Sequence, residues 1–270
     1  MGAPHGLLGG EVCNQGAAGF VEEHLNYDEY RYIVAHHLWD NAGLGAWFRA
    51  GRTVDFPPGA ISIKAAWLAF LQGPDLARYK GDYFIRDYYT QAQGLAALHL
   101  SSKVLPNWFW ATFENVHNPC LFALPVTAKP NPYAQTDKFG YPDYTGIAPA
   151  GALPSPALRA LLQRYGLGRV WWNYRLVGIQ NDFVQTEGRP QVLGSSVIEA
   201  QLQGTGSASC MTCHARAQVN SAGFVPCVPI VQPSGMGFTG APSALWFPNT
   251  RQLDFVWSFN ALGPPPESCR

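Results

Sequence analysis

The chain has 270 residues, of which 47% are hydrophobic and only 13% charged, and its formal net charge is zero. This composition predicts a folded protein with a sizeable core. No run of Lys or Arg is present, so the electrostatic footprint of a nucleic-acid-binding protein is missing. The longest apolar stretches break within about ten residues, too short to cross a bilayer as a helix.

The first half of the chain predicts one helix followed by several strands. Residues 26–40 predict the helix, because Asn26 can cap it with Glu29 three residues later and apolar residues then recur on one face. Four strands are then predicted from apolar and aromatic content between turn-like breaks, at 61–70, 83–91, 95–103 and 107–115.

The second half begins with a change of composition. Residues 119–154 are dominated by Pro, Gly, Asn, Asp and Tyr without a period, which indicates a long ordered loop or a boundary between two halves. A short helix capped by Ser155 follows, with Leu158, Leu161 and Leu162 expected to face inwards.

Residues 170–184 predict a long strand, and 253–259 a short aromatic element. Because strands follow strands instead of alternating with helices, we expect an α+β fold with an antiparallel sheet and peripheral helices. The chain is expected to form a single domain, 1–270, with 119–154 as a candidate internal boundary.

The strongest motif is the C-x-x-C-H pattern formed by Cys210, Cys213 and His214. Two intervening residues place both sulfurs on one edge of a helical turn, within reach of the two vinyl groups of one porphyrin. Each thiol can then form a thioether, and His214 lies under the porphyrin face, where its imidazole can bind iron.

This segment resembles the haem-attachment segment of the c-type cytochromes. The resemblance implies one covalently bound haem c held near the C-terminus, with His214 as iron ligand. It also implies export, to the periplasm or beyond, because haem attachment in that class follows export. The N-terminal residues lack the pattern of a signal peptide, so we expect that an exported protein has lost its signal.

Two alternatives to haem remain open. A zinc site would require a second closely spaced pair of ligands, whereas Cys227 and Cys269 each stand alone. A thioredoxin-like dithiol would require a strand-to-helix context within a βαβ unit, which the sequence does not suggest. Four cysteines remain after haem attachment, as one or two disulfides of unknown pairing or as buried thiols: Cys13, Cys120, Cys227 and Cys269.

The sixth iron position has several candidate ligands. Met236 lies in a glycine-rich loop 22 residues after His214, where small cytochromes commonly place an axial thioether, although methionine is also a routine core residue. His99 is expected on the strand face opposite Leu98 and Leu100, as a ligand, a proton relay or a core histidine satisfied by the backbone.

Further candidates come from the remaining polar residues. Glu114 and His117 could form an acid/base pair at the mouth of a pocket, or a plain surface turn. His36 and His37 point about 100° apart on a helix and so cannot readily share a metal. His5 and His24 carry no specific signal.

Size favours an enzyme over a simple carrier, because 270 residues surround one expected haem. We therefore expect a haem-c oxidoreductase with chemistry at the iron, peroxidase- or oxygenase-like, with His99 and Glu114 as candidate catalytic residues. Its partner would be a redox protein or a small-molecule oxidant or substrate. The alternatives are a monohaem electron carrier with Met236 as second ligand, and a non-catalytic haem or gas-binding module.

Overall fold

In a computed structural model the protein is described over residues 19–69, 80–88, 91–116, 154–195, 198–199, 208–226, 232 and 237–259. The strands are β1 Gly19–Leu25, β2 Ile61–Ala69, β3 Ile85–Tyr88, β4 Gln91–Ser102, β5 Phe109–Asn115, β6 Tyr174–Gln180, β7 Gln218–Val219 and β8 Arg251–Gln252. The α-helices are α1 Tyr27–Ala35, α2 Asn41–Arg49, α3 Pro156–Arg164 and α4 Cys210–His214; two 3-10 helices are Arg169–Asn173 and Ala244–Trp246.

A six-stranded antiparallel sheet forms the body of the fold. Its strand order is β1-β2-β4-β5-β6, and β3 pairs with the beginning of β4. A separate ladder joins β7 to β8. The predicted α+β class with an antiparallel sheet is confirmed, and so are the four strands predicted between residues 61 and 115.

The helix caps follow the sequence signals. The Asn26 side chain accepts a hydrogen bond from the Glu29 backbone N–H at the start of α1, and Ser155 accepts one from Leu158 N–H at the start of α3. The first helix ends at Ala35, earlier than predicted. A second helix, α2, capped by Asp40, occupies residues that the sequence analysis left unassigned.

Two predictions for the second half are wrong. The expected strand at 170–184 begins instead as the 3-10 helix Arg169–Asn173 and is extended only over β6. Asn173 fixes the junction between this 3-10 helix and β6, because its side-chain amide donates to the backbone carbonyls of Gly81 and Asp82 at 3.2 and 3.0 Å. The inward-facing role of α3 is also wrong: its leucines Leu158 and Leu161 are 43% and 47% exposed.

The largest core of the described residues surrounds α4. It joins side chains of α1, α2 and β5 to residues 253–259, and Met211 of α4 is fully buried within it. No helix in the described part of the chain is long and apolar enough to cross a bilayer. The boundary predicted at 119–154 lies almost wholly outside the described residues.

Glu29 predicts a pH dependence of stability. Its carboxylate is fully buried, accepts one hydrogen bond from the Ser62 hydroxyl at 2.6 Å, and has a second oxygen without a partner among the described residues. Burial raises the pKa of Glu29 from 4.5 to about 7. As pH rises through this interval the unfolded chain releases the proton first, so the free energy of unfolding falls by roughly 3 kcal/mol and then levels off.

Glu29→Gln is therefore expected to remove this fall, because an amide cannot ionise. Urea unfolding at a series of pH values between 4 and 8 measures the difference, with the exposed Glu187→Gln as control. If the Glu29→Gln variant and the wild-type protein lose stability in parallel across that range, the assignment of the raised pKa to Glu29 is wrong.

Candidate functional site

The C-x-x-C-H segment forms the single helical turn α4. The Ser209 hydroxyl caps it by accepting from the Thr212 backbone N–H at 3.2 Å. Met211 and Thr212 are fully buried, whereas Cys210, Cys213 and His214 are only partly buried. The turn is therefore anchored on one side, while its two thiols and imidazole share the other side. Neither cysteine forms a disulfide.

Gln180, at the end of β6, fastens this turn to the sheet. Its fully buried side chain accepts from the Met211 backbone N–H at 3.1 Å and donates to the Ser209 hydroxyl at 2.9 Å. Leu193 adds a backbone bridge, because its carbonyl accepts from Cys210 N–H at 3.1 Å. The position of the motif is thus set by hydrogen bonds to residues that precede it by up to 31 positions.

The His214 ring is held by the backbone of residue 255. Its Nδ1 lies 2.8 Å from the carbonyl oxygen of Phe255, and the Trp110 ring packs 4.6 Å from it between centroids. Since a carbonyl can only accept, Nδ1 carries the proton and Nε2 presents its lone pair. Burial and the nearby Lys64 ammonium lower the pKa of His214 to about 4, so the imidazole is neutral at pH 7.

An unusual turn supplies that carbonyl. Asp254 and Phe255 both have left-handed backbone conformations, with φ of 49° and 68°. The Asp254 carboxylate fixes the turn by accepting from Lys103 Nζ at 2.7 Å, Trp108 Nε1 at 3.2 Å and the Phe56 backbone N–H at 2.7 Å. This buried carboxylate therefore controls where the acceptor for His214 lies.

A polar row crosses the sheet next to the motif. It consists of Glu23, Lys64, His99 and Thr112, which lie directly opposite one another on β1, β2, β4 and β5. Lys64 Nζ pairs with Glu23 at 3.1 Å, and His99 Nδ1 lies 2.8 Å from the Thr112 hydroxyl. Glu199, outside the sheet, completes the group with a carboxylate oxygen 3.3 Å from His99 Nε2.

The polar row carries charge under the motif. Burial alone would raise the pKa of Glu23, but Lys64 and the Ser258 hydroxyl lower it to about 2. Burial would lower the pKa of Lys64, but Glu23 and Glu199 raise it above its usual value. At neutral pH the carboxylate of Glu23 and the ammonium of Lys64 are both ionised.

No protein-family model, curated protein or solved structure matches this chain.

The donor set fits covalent haem attachment. Two thiols lie on one side of a turn, next to an imidazole whose Nε2 is the nitrogen that can bind iron. Burial, followed by Glu199, raises the pKa of Cys210 well above its usual range, which disfavours a reactive dithiol because reactive cysteines have lowered pKa values. Within the described ranges no three His, Cys, Asp or Glu side chains are grouped to hold a metal ion.

The structure brings one of the two candidate catalytic residues to the motif. His99 lies in the polar row, on the same sheet face as Trp110. Glu114 lies two residues beyond Thr112 on β5 and pairs with Arg175 at 3.3 Å, with both side chains fully buried. The proposed partner of Glu114, His117, lies outside the described residues, so that acid/base pair stays a prediction.

The other predicted ligands divide into two groups. His24 is an exposed residue that pairs with Glu22, and His36 and His37 pack against the aromatic rings of Trp47 and Trp39. His5 and Met236 lie outside the described residues, and so do the four cysteines that were expected to form disulfides or buried thiols: Cys13, Cys120, Cys227 and Cys269.

Sequence reasoning missed most of the supporting residues. The sequence analysis singled out none of Gln180, Glu23, Lys64 and Glu199 as site residues. A usable signal existed in β2, where Lys64 is the one charged residue of a mainly apolar strand. A charge in such a strand requires a partner, and this points to a polar site nearby.

Proposed function

We propose that this protein is an exported c-type haem oxidoreductase, located in the periplasm or beyond it. Cys210 and Cys213 would form the two thioether bonds, and His214 Nε2 would bind the iron. The proposal rests mainly on the arrangement of α4. The Phe255 carbonyl accepts a hydrogen bond from His214 Nδ1, which leaves Nε2 available to bind iron. Both thiols lie on the same side of the helical turn as the imidazole. Haem bound here would supply an iron able to exchange electrons and to react with peroxide or oxygen.

The protein residues would orient this site and exclude water. The hydrogen bond to Phe255 fixes the tautomer and plane of His214, and Trp110 covers one side of the ring. The Trp257 indole donates to the Cys213 carbonyl at 3.1 Å, which holds the end of the turn. These contacts keep Nε2 of His214 in one orientation.

The polar row favours chemistry at the iron over simple electron transfer. His99 is suited to proton transfer at Nε2, because Glu199 faces that nitrogen while Thr112 fixes Nδ1. Electron transfer alone requires no proton-transfer group. A redox protein or a small-molecule oxidant or substrate would be the partner. If Met236 fills the sixth iron position, the protein would be an electron carrier. If that position is open but inert to peroxide, the protein would be a gas-binding module.

Haem attachment is tested by exporting the chain in cells that carry the bacterial haem-ligation machinery. We expect a coloured protein with a c-type absorption spectrum and a mass increased by one haem that survives denaturation. The Cys210→Ala/Cys213→Ala protein should bear no covalent haem, and each single variant should retain one thioether. A colourless wild-type protein with both thiols free, or with zinc bound to them, would refute the proposal.

The reaction class is tested on the same coloured protein. Reduced protein should bind carbon monoxide without displacing a strong ligand, and peroxide should drive oxidation of a dye. His99→Gln keeps a hydrogen-bonding group beside Thr112 but cannot carry a proton, so we expect peroxide turnover to fall about 100-fold or more. The exposed His24→Gln is the control. A six-coordinate protein inert to carbon monoxide and peroxide would instead indicate an electron carrier.

A further inference from the structure

Arg216 is a buried cation directly after the motif. Its side chain is almost wholly buried, since only 6% is exposed, and it lies against two aromatic rings. The guanidinium carbon is 3.8 Å from the centroid of Phe238 and 4.5 Å from that of Trp246, and these rings pack edge to face. Cation–π contacts of this kind hold a guanidinium by its face and leave its N–H edges for other partners.

The charge of Arg216 has no acidic partner among the described residues. Its Nε and Nη1 atoms are buried without any hydrogen bond, and none of the ion pairs includes it. The sequence between Glu199 and Asp254 contains no Asp or Glu at all. The residues on either side of Arg216 in the sequence therefore supply no side-chain carboxylate. A buried cation without a counter-charge is strongly unfavourable, so a partner for Arg216 is expected.

The position of Arg216 connects it to the haem-attachment turn. Its backbone N–H donates to the Cys213 carbonyl at 3.2 Å, and it follows His214 by two residues. Arg216 is therefore tied through its backbone to the residue that bears the second thiol. An anionic substituent at the edge of a group attached to Cys213 would lie close to the guanidinium N–H donors of Arg216.

We propose that Arg216 binds a carboxylate at this site. If the proposed function holds, on which this partner rests, the carboxylate is one of the two propionate groups at the periphery of the porphyrin. Guanidinium and carboxylate match in charge and in planar hydrogen-bonding geometry, and a lysine cannot reproduce that geometry. A small carboxylate from solution offers the same chemistry, so the test separates the two sources.

The first arm uses haem-loaded protein and compares Arg216→Met, Arg216→Lys and Arg52→Met at pH 7. Arg52 is the matched control, because it is exposed and lies 4.8 Å from the centroid of Trp47. We expect the iron midpoint potential to fall in Arg216→Met, since the lost cation no longer offsets the propionate charge. Arg216→Lys should show a smaller fall, and Arg52→Met should match wild type.

The second arm measures the melting temperature in sodium acetate against sodium chloride at equal ionic strength. A carboxylate from solution predicts a saturable rise specific to acetate, present in wild type and lost in Arg216→Met. A porphyrin carboxylate predicts no acetate effect on the loaded wild-type protein. If Arg216→Met equals Arg52→Met in both arms, the proposal is overturned. If the wild-type protein carries no haem, the proposed haem attachment is wrong. The melting temperatures in acetate and chloride then decide on their own whether Arg216 binds a carboxylate.

Discussion

Replacing Arg175 with methionine is expected to lower the free energy of unfolding by about 3–5 kcal/mol. Arg175 on β6 and Glu114 on β5 lie opposite each other and form an ion pair at 3.3 Å, with neither side chain accessible to solvent. Removing the guanidinium takes the charge of Arg175 away from the buried Glu114 carboxylate, and solvation in water cannot compensate for that loss. Denaturant unfolding followed by tryptophan fluorescence measures the change.

The matched controls separate charge from packing. Arg164→Met, on the exposed side of α3, removes the same side chain where no ion pair exists among the described residues and should change stability by less than about 0.5 kcal/mol. The double variant Arg175→Met/Glu114→Leu removes both charges and should recover much of the loss. A single variant as stable as Arg164→Met would show that the buried pair contributes nothing.

Local signals account for the parts of the fold that the sequence predicted correctly. Asn26 and Glu29 mark the start of α1 because a cap requires only neighbours within one turn. The β4 strand was predicted from apolar content between turn-like breaks, and alternation within it placed His99 on the face opposite Leu98. The same local reasoning failed at Trp171, where aromatic residues that suit a strand instead form a 3-10 helix held by contacts to residues near position 82.

The candidate site depends on register, which no local pattern encodes. Successive members of the polar row, Glu23, Lys64, His99 and Thr112, are 13 to 41 positions apart along the chain, yet they become neighbours because four strands pair in one register. A shift of one residue in any of these strands would turn its polar side chain to the other face. The C-x-x-C-H motif was found because its chemistry requires a fixed local spacing, whereas its surroundings require the whole sheet.

Replacing Asp254 with alanine is expected to destabilise the protein by roughly 3–4 kcal/mol and to loosen His214. The carboxylate accepts from Lys103, Trp108 and the Phe56 backbone, so its removal leaves the buried Trp108 indole and the Phe56 N–H without this acceptor, whereas Lys103 keeps its contact with Asp55. Alanine also tolerates the left-handed backbone at this position poorly. Asparagine tolerates that conformation better and can still accept hydrogen bonds, so Asp254→Asn should lose less than half as much.

The haem-loaded protein connects this turn to the iron. If Asp254 holds the Phe255 carbonyl against His214, its loss weakens the hydrogen bond at Nδ1 and makes the imidazole a poorer electron donor. The midpoint potential should then rise in Asp254→Ala, opposite in sign to the fall expected for Arg216→Met. Asp55→Asn is the control, because Asp55 is exposed and contacts the same Lys103 at 3.0 Å. Equal potentials in Asp254→Ala and Asp55→Asn would mean that the turn stabilises the fold without acting on His214.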